Sequence, residues 1–121
     1  MKKIIVFVIA AIILSGCATT SYTRTSKSNK KKLNQLSIGM PEDQVMDLMG
    51  RGTVFTEGMT VNNPYKTKEL DAGSGAYEIL YYVTDIIDEE DQEIDDDELT
   101  PLAFKNGELA GWGWGFLEKL D

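Results

Sequence analysis

The 121-residue chain has no histidine, one cysteine and only three prolines. Without histidine there is no imidazole for acid–base catalysis, no Ser-His or Cys-His nucleophile, and no His-ligated metal centre. A lone cysteine excludes an intramolecular disulfide framework and any CxxC metal or redox motif. Positive charge is also scarce. Twelve Lys and Arg stand against twenty Asp and Glu, a formal net charge of −8, which argues against nucleic acid as a partner of the folded part. Long apolar runs are missing apart from Ile4 to Leu14. The length leaves room for one domain and hardly two.

That single run is too short to cross a ~30 Å hydrocarbon core as a helix. Behind the basic start Met1-Lys2-Lys3, it has the length of the apolar region of a secretory signal. Leu14-Ser15-Gly16-Cys17 follows, small residues leading into the only cysteine. This segment resembles the bacterial lipobox. The resemblance implies that residues 1–16 are a lipoprotein signal peptide. It also implies that Cys17 becomes residue one, carrying a covalent diacylglycerol and an acyl chain on its amine. Two or more chains make such anchoring effectively stable. A buried structural cysteine after an ordinary signal is the alternative. Ala18 stands where the enteric sorting pattern places an acidic residue for inner-membrane retention. For a Gram-negative source the resemblance therefore implies the inner leaflet of the outer membrane, facing the periplasm.

Residues 17–32 form the next unit: the lipidated cysteine and a polar segment rich in Ser, Thr and Lys. Such a segment buries too little apolar surface to offset its ordering entropy, so a flexible tether is expected. It carries Arg24, Lys27, Lys30, Lys31 and Lys32 and no acid, whereas residues 33–121 hold five basic and twenty acidic residues. A basic segment beside anionic headgroups is attracted by about 1 kcal/mol per residue near the surface. Keeping a linker soluble is the plainer role.

Residues 33–121 carry the patterning of a domain. Leu33, Leu36 and Ile38 suffice for one short helix. A second is signalled by Pro41, the acids Glu42 and Asp43 behind it, and Gly50 at the end. Val45, Leu48 and Met49 would be its apolar stripe. From Thr53 the texture turns to β, with a brief strand at 54–56, a turn at Asn62-Asn63-Pro64 and a polar stretch from Tyr65 to Leu70. Residues 76–87 read as the strongest strand, apolar on both faces and therefore central. Leu99 to Lys105 and Glu108 to Trp114 flank Asn106-Gly107, the preferred pair for a two-residue hairpin turn. The register so set pairs Phe104 with Leu109 and Leu102 with Gly111 on one face. On the other it pairs Ala103 with Ala110, Pro101 with Trp112, and Leu99 with Trp114. The stripe Gly111, Gly113 and Gly115 would admit the Val45 helix, and a turn at 116–120 would close the chain.

The string Leu36-x-Ile38-Gly39-Met40-x-x-x-Gln44-Val45-x-x-Leu48-Met49-Gly50, behind a lipobox and before antiparallel strands, resembles the BamE/SmpA/OmlA lipoprotein superfamily. The ending from Thr100 to Trp114 is more similar to its small uncharacterised lipoproteins than to BamE itself. Gly39, Met40, Val45 and Gly50 are the fold motif. Pro41 replaces the usual Ser or Thr cap, and Gly50-Arg51-Gly52-Thr53 replaces the usual Gly-x-Pro. The resemblance implies an α+β domain, two short helices packed on a three- to four-stranded antiparallel sheet (ααβββ, two layers). It further implies no catalysis, no cofactor, and a protein partner such as the outer-membrane assembly components that BamE serves.

Three candidate sites remain. Asp85 to Glu98 packs ten carboxylates into fourteen residues. A Ca²⁺ loop started at Asp91 would pass through Glu93 and Asp95 but meet Asp96 and Leu102 where Gly and Glu are needed, so the pattern fails. A solvated strand-connecting loop is the expectation, with no metal. Paired carboxylates for glycoside hydrolysis need a cleft and one raised pKa, and a polar loop offers neither. The expected hairpin register puts Trp112, Trp114, Leu99 and Pro101 on one side of an outer hairpin. This is a protein-docking patch if uncovered and core if residues 53–70 or the C-terminal turn fold over it. The function expected is a membrane-anchored protein-interaction module in outer-membrane assembly or envelope maintenance. A small inhibitor or ligand-binding domain for a periplasmic enzyme is the alternative.

Overall fold

A computed structural model describes residues 21–56, 59–87 and 94–120. The protein is α+β, with a four-stranded antiparallel sheet and a few short helices. In chain order these are α1 (Ser21–Lys32), α2 (Glu42–Met49), β1 (Thr53–Thr56), β2 (Met59–Asn62), β3 (Lys66–Ala72), β4 (Gly75–Val83), β5 (Leu99–Lys105), β6 (Glu108–Trp112) and α3 (Trp114–Glu118). Single 3-10 turns cover Leu33–Gln35 and Asp96–Glu98. The large sheet has the order β3-β4-β5-β6, and β1 and β2 form a separate hairpin.

β4 is central, as its two apolar faces require. Leu80 and Tyr82 point to one side, where Val45 and Met49 of α2 join Leu102, Phe104, Leu109 and Leu36. Val45 and Met49 are fully buried, each worth about 1.5–3 kcal/mol by removal from water. Tyr77, Ile79, Tyr81 and Val83 point to the other side, where Ile86, Ile94 and the residues of α3 pack against them.

The segment before α2 is what delivers it to the sheet. Gly39 N–H donates to Leu109 O at 2.8 Å, Leu109 N–H to Met40 O at 2.9 Å, and Glu42 N–H to Gly107 O at 2.8 Å. Residues 39–42 thus lie along β6 as a short extra rung, with Pro41 opposite Glu108, and cover part of the sheet edge. Pro41 has no N–H to donate and is suited to such an outer position. The helix ends where Gly50, at φ +118°, returns its N–H to Met46 O at 2.8 Å.

Four expectations are corrected. First, Ser21–Lys32 is a docked helix and not a coil, so the folded body includes these residues ahead of 33. Its inward stripe is Tyr22, Ser26 and Asn29, at helical spacing but polar, with Ser26 and Asn29 buried. Asn29 Nδ2 donates to Asn63 Oδ1 at 2.8 Å and to Val83 O at 2.9 Å, while Asn63 Nδ2 donates to Met49 O at 3.0 Å. Tyr22 meets the Tyr65 ring edge-to-face at 6.1 Å, and its hydroxyl accepts from Asn62 N–H at 3.2 Å. Hydrogen bonds, not apolar periodicity, hold this helix.

Second, the short strand at 54–56 is half of a hairpin, paired with β2 from Thr53↔Asn62 onward. Third, the polar stretch after Tyr65 is a seven-residue edge strand, β3, paired along its length with β4. Fourth, the last hairpin slips by one residue. Phe104 faces Leu109 as expected, but Ala103 then faces Gly111 and Leu102 faces Trp112. Ala110 is the extra residue of a bulge, and a one-residue slip sends every later side chain to the opposite face. Gly113, at φ +96°, ends β6 at Trp112 and opens α3.

The Asn29–Asn63 pair is a direct target. Asn63→Ala strands the Asn29 amide and Met49 O in a buried site. It is expected to lower stability by about 1–3 kcal/mol, read as a lower urea midpoint with unchanged slope.

Candidate functional site

The bulge and the strand end at Gly113 together take apart the expected aromatic face. Trp112 sits beside Leu102 and packs, half-buried, on the α2 side of the sheet. Trp114 sits on the other side, its Nε1 donating to Leu99 O at 2.9 Å and its ring tilted against Tyr81 at 5.8 Å. Leu99 and Pro101 are buried. The four residues therefore share no exposed patch. The glycine stripe serves a different neighbour as well. Gly111 leaves space for the Phe116 ring of α3, which a Cβ there would strike, whereas α2 lies on the opposite face.

The motif residues have structural duties. Gly39, at φ +88°, turns the chain onto β6. Met40 packs at the margin of the α2-side core and Val45 fills its centre. Gly50 lies so close to Asn63 Nδ2 that a Cβ would meet it at 2.5 Å. Its carbonyl accepts from the Tyr82 hydroxyl at 2.7 Å, and burial pushes that phenol's pKa up.

Of the acidic loop, residues 88–93 lie outside the described residues, as do the signal segment and Cys17. What is described of the loop is tied down. Glu98 is buried and accepts from Ile87 N–H at 3.1 Å and Asp95 N–H at 3.0 Å. Its carbonyl takes Thr84 N–H at 2.9 Å and Asp85 N–H at 3.1 Å. Lys30 pairs with Asp85 and Lys66 with Asp96. Among the described residues no group of three or more His, Cys, Asp or Glu could hold a metal ion.

The concave surface of interest is elsewhere. α2 covers only part of its sheet face, and beside it lies an open groove of about 340 Å³. Glu42 from the first turn of α2, Glu69 and Asp71 from β3, and Glu78 from β4 line it, over Phe104. Glu69 and Glu78 are direct partners in the β3–β4 register, an opposition of like charges that disfavours the pair. A hydrogen bond to the Glu78 carboxylate, then burial, then the charges of Glu78 and Asp43 hold the Glu42 proton, with the pKa pushed up to about 7. Sequence pattern missed this group because Lys66–Ala72 reads as loop. Only with β3 recognised as a strand do Glu69 and Glu78 become neighbours.

The architecture defines a small α+β domain with a polar-docked N-terminal helix, both faces of the sheet at least partly covered, and an acidic groove. The chain belongs to the family described as "Protein of unknown function (DUF3192)", which it matches over residues 6–119. No curated protein and no solved structure matches it.

Two outcomes test this geometry. Gly111→Ala should destabilise the protein by about 1–3 kcal/mol through overpacking against Phe116. Combining it with Phe116→Ala should cost less than the sum of the single changes, a coupling read from denaturation midpoints. The second outcome follows from Glu42. Its folded pKa lies above the unfolded value near 4.5, so the folded state binds the extra proton and stability falls as pH rises from about 4.5 to about 7. Glu42→Gln should remove that fall. The variant is expected to match wild type at pH 4 and exceed it at pH 8 by about 1 kcal/mol or less, because the groove is open to solvent. Denaturation midpoints across that pH range check it.

Proposed function

We propose that this chain is a lipid-anchored lipoprotein of the bacterial envelope, held at the inner leaflet of the outer membrane and facing the periplasm. There it works as a non-catalytic protein-interaction module. The observation that carries this is the placement of the only cysteine, Cys17, after Leu14-Ser15-Gly16 and a basic–apolar leader. Kinship with the BamE-like ααβββ arrangement is part of the proposal. It is supported by two helices preceding antiparallel strands, and by α2 laid across one sheet face through the Gly39-Met40 segment. The partner such kinship suggests is an outer-membrane assembly component. The open acidic groove favours a second reading, a ligand-binding or inhibitory domain for a periplasmic enzyme.

The anchor is tested by feeding cells an alkyne-tagged fatty acid. The wild-type chain should incorporate it and fractionate with outer membranes, and Cys17→Ser should do neither. Label missing from wild type would overturn the anchor. The module is tested by purifying the lipidated chain from mild detergent. Co-purification of a stable multiprotein complex supports it, and a soluble one-to-one complex selects the second reading. Turnover of a substrate by the chain itself, lost on replacing one carboxylate, would overturn both.

A further inference from the structure

The outward side of α1 is as organised as its inward side. Arg24, Lys27, Ser28 and Lys31 are exposed and fall at i, i+3, i+4 and i+7 along one face of the helix. No acid occurs anywhere in α1. Lys30 is engaged by Asp85, which leaves Lys27 and Lys31, one turn apart, as the lysines pointing fully outward. The rest of the folded chain is acidic, with twenty Asp and Glu against five Lys and Arg over residues 33–121.

Position along the chain adds a second constraint. Ser21 is four residues after Cys17, a reach of about 14 Å at most even when extended. A lipid held on Cys17 therefore keeps the start of α1 within that distance of the membrane surface. The leash is thus short enough for α1 to lie along the surface, an orientation that brings its outward lysines within a Debye length of the headgroups, about 8–10 Å at physiological salt.

We propose that the outward lysine face of α1 docks on an anionic phospholipid surface and fixes the orientation of the domain on the membrane. This rests on acylation of Cys17. The inward face binds the protein body through Tyr22, Ser26 and Asn29, and the outward face binds headgroups, so α1 is the layer between the two. Each lysine near an anionic surface is worth roughly fivefold in the docked-to-undocked ratio, and the two together on the order of thirtyfold. The β3–β4 turn lies far from α1, because β4 carries the chain eight residues, about 26 Å, from Val83 beside Asn29 to Gly75 next to that turn.

With Cys17 acylated, an introduced cysteine is the only free thiol. The lipidated full chain carrying Ser28→Cys or Gly73→Cys is labelled with an environment-tolerant fluorophore. It is then reconstituted in phosphatidylcholine vesicles with or without phosphatidylglycerol, with a headgroup-level quencher. Ser28 is exposed, and a Cβ at Gly73 meets nothing within 4 Å. The Ser28→Cys label should be quenched strongly in anionic vesicles. It should be released in neutral vesicles, in about 1 M salt where the Debye length falls to about 3 Å, and on adding Lys27→Glu and Lys31→Glu. The Gly73→Cys label should stay unquenched throughout. Near-UV circular dichroism of the charge-reversed variant should be unchanged, since both lysines are exposed. Equal quenching at the two positions, or quenching at Ser28 indifferent to lipid charge and to both substitutions, overturns the docking. A chain whose mass and thiol count show Cys17 unacylated overturns the anchor, and the docking with it.

Discussion

Two buried amides hold the molecule together. Asn29 and Asn63 bond reciprocally, and their remaining donors reach Val83 O and Met49 O. One node thereby joins α1, the end of α2, the turn into β3 and the end of β4. Its directionality matters more than its strength. A net hydrogen bond is worth about 0.5–1.5 kcal/mol, yet an amide accepts only partners at fixed angles, whereas an apolar contact slides. Close approach of Gly50 to Asn63 is part of the same constraint, since any side chain there would displace the Nδ2 atom. The Tyr82 hydroxyl on Gly50 O ties the node to the centre of the sheet. A helix with almost no apolar surface can dock only in this way, by satisfying every polar group it buries.

The parts of this fold legible in the sequence are those where local chemistry and burial agree. Asn106-Gly107 turns as its type demands, with Asn106 at φ +55° and Gly107 at φ +78°. Val45 and Met49 are buried as their spacing requires, and β4 is buried on both faces from Ile79 to Val83. The missed parts are those where the two disagree. α1 hides because its helical stripe is Tyr22, Ser26 and Asn29, a pattern that hydropathy scores as linker. β3 hides because an edge strand with one face to solvent can be written Lys-Thr-Lys-Glu-Leu-Asp-Ala, charged enough to resist pairing with a stray strand. The bulge at Ala110 has no local signature, since Ala-Gly-Trp-Gly-Trp fits a straight strand equally well.

The bulge and the break at Gly113 together decide the fate of the aromatic candidates. In a straight hairpin Trp112 and Trp114 would lie side by side. The extra residue turns Trp112 toward α2, and Gly113, at φ +96°, ends the strand so that Trp114 does not follow but packs toward Tyr81 and α3. Each then closes the rim of a different core layer, a use to which a large ring with one polar atom is well suited. The acidic groove arises by a similar displacement. α2 is eight residues long, about 12 Å, and it cannot roof the whole face of a four-stranded sheet. The uncovered portion falls over β3 and the first half of β4, and there the face residues are Glu69, Asp71 and Glu78. Charge appears where helical cover stops. The groove is thus the exposed remainder of a core face, with water accepted where a longer helix would have demanded leucine.

The same economy of cover bears on the anchor proposed at Cys17. A coil from residue 18 to residue 32 would let an anchored domain wander on the order of 20 Å in any direction. With Ser21–Lys32 folded onto the body, no more than residues 18–20 separate Cys17 from it. Under the proposed anchor, what the helix removes in reach would return as orientation, because a short leash makes the identity of the facing surface matter. That surface carries Lys27 and Lys31 on a domain otherwise rich in carboxylates. An acidic body near anionic lipid is repelled unless a basic layer intervenes, and α1 is the segment whose composition and position supply one. Its inward side is polar as well, binding the body through the hydrogen bonds of Tyr22 and Asn29.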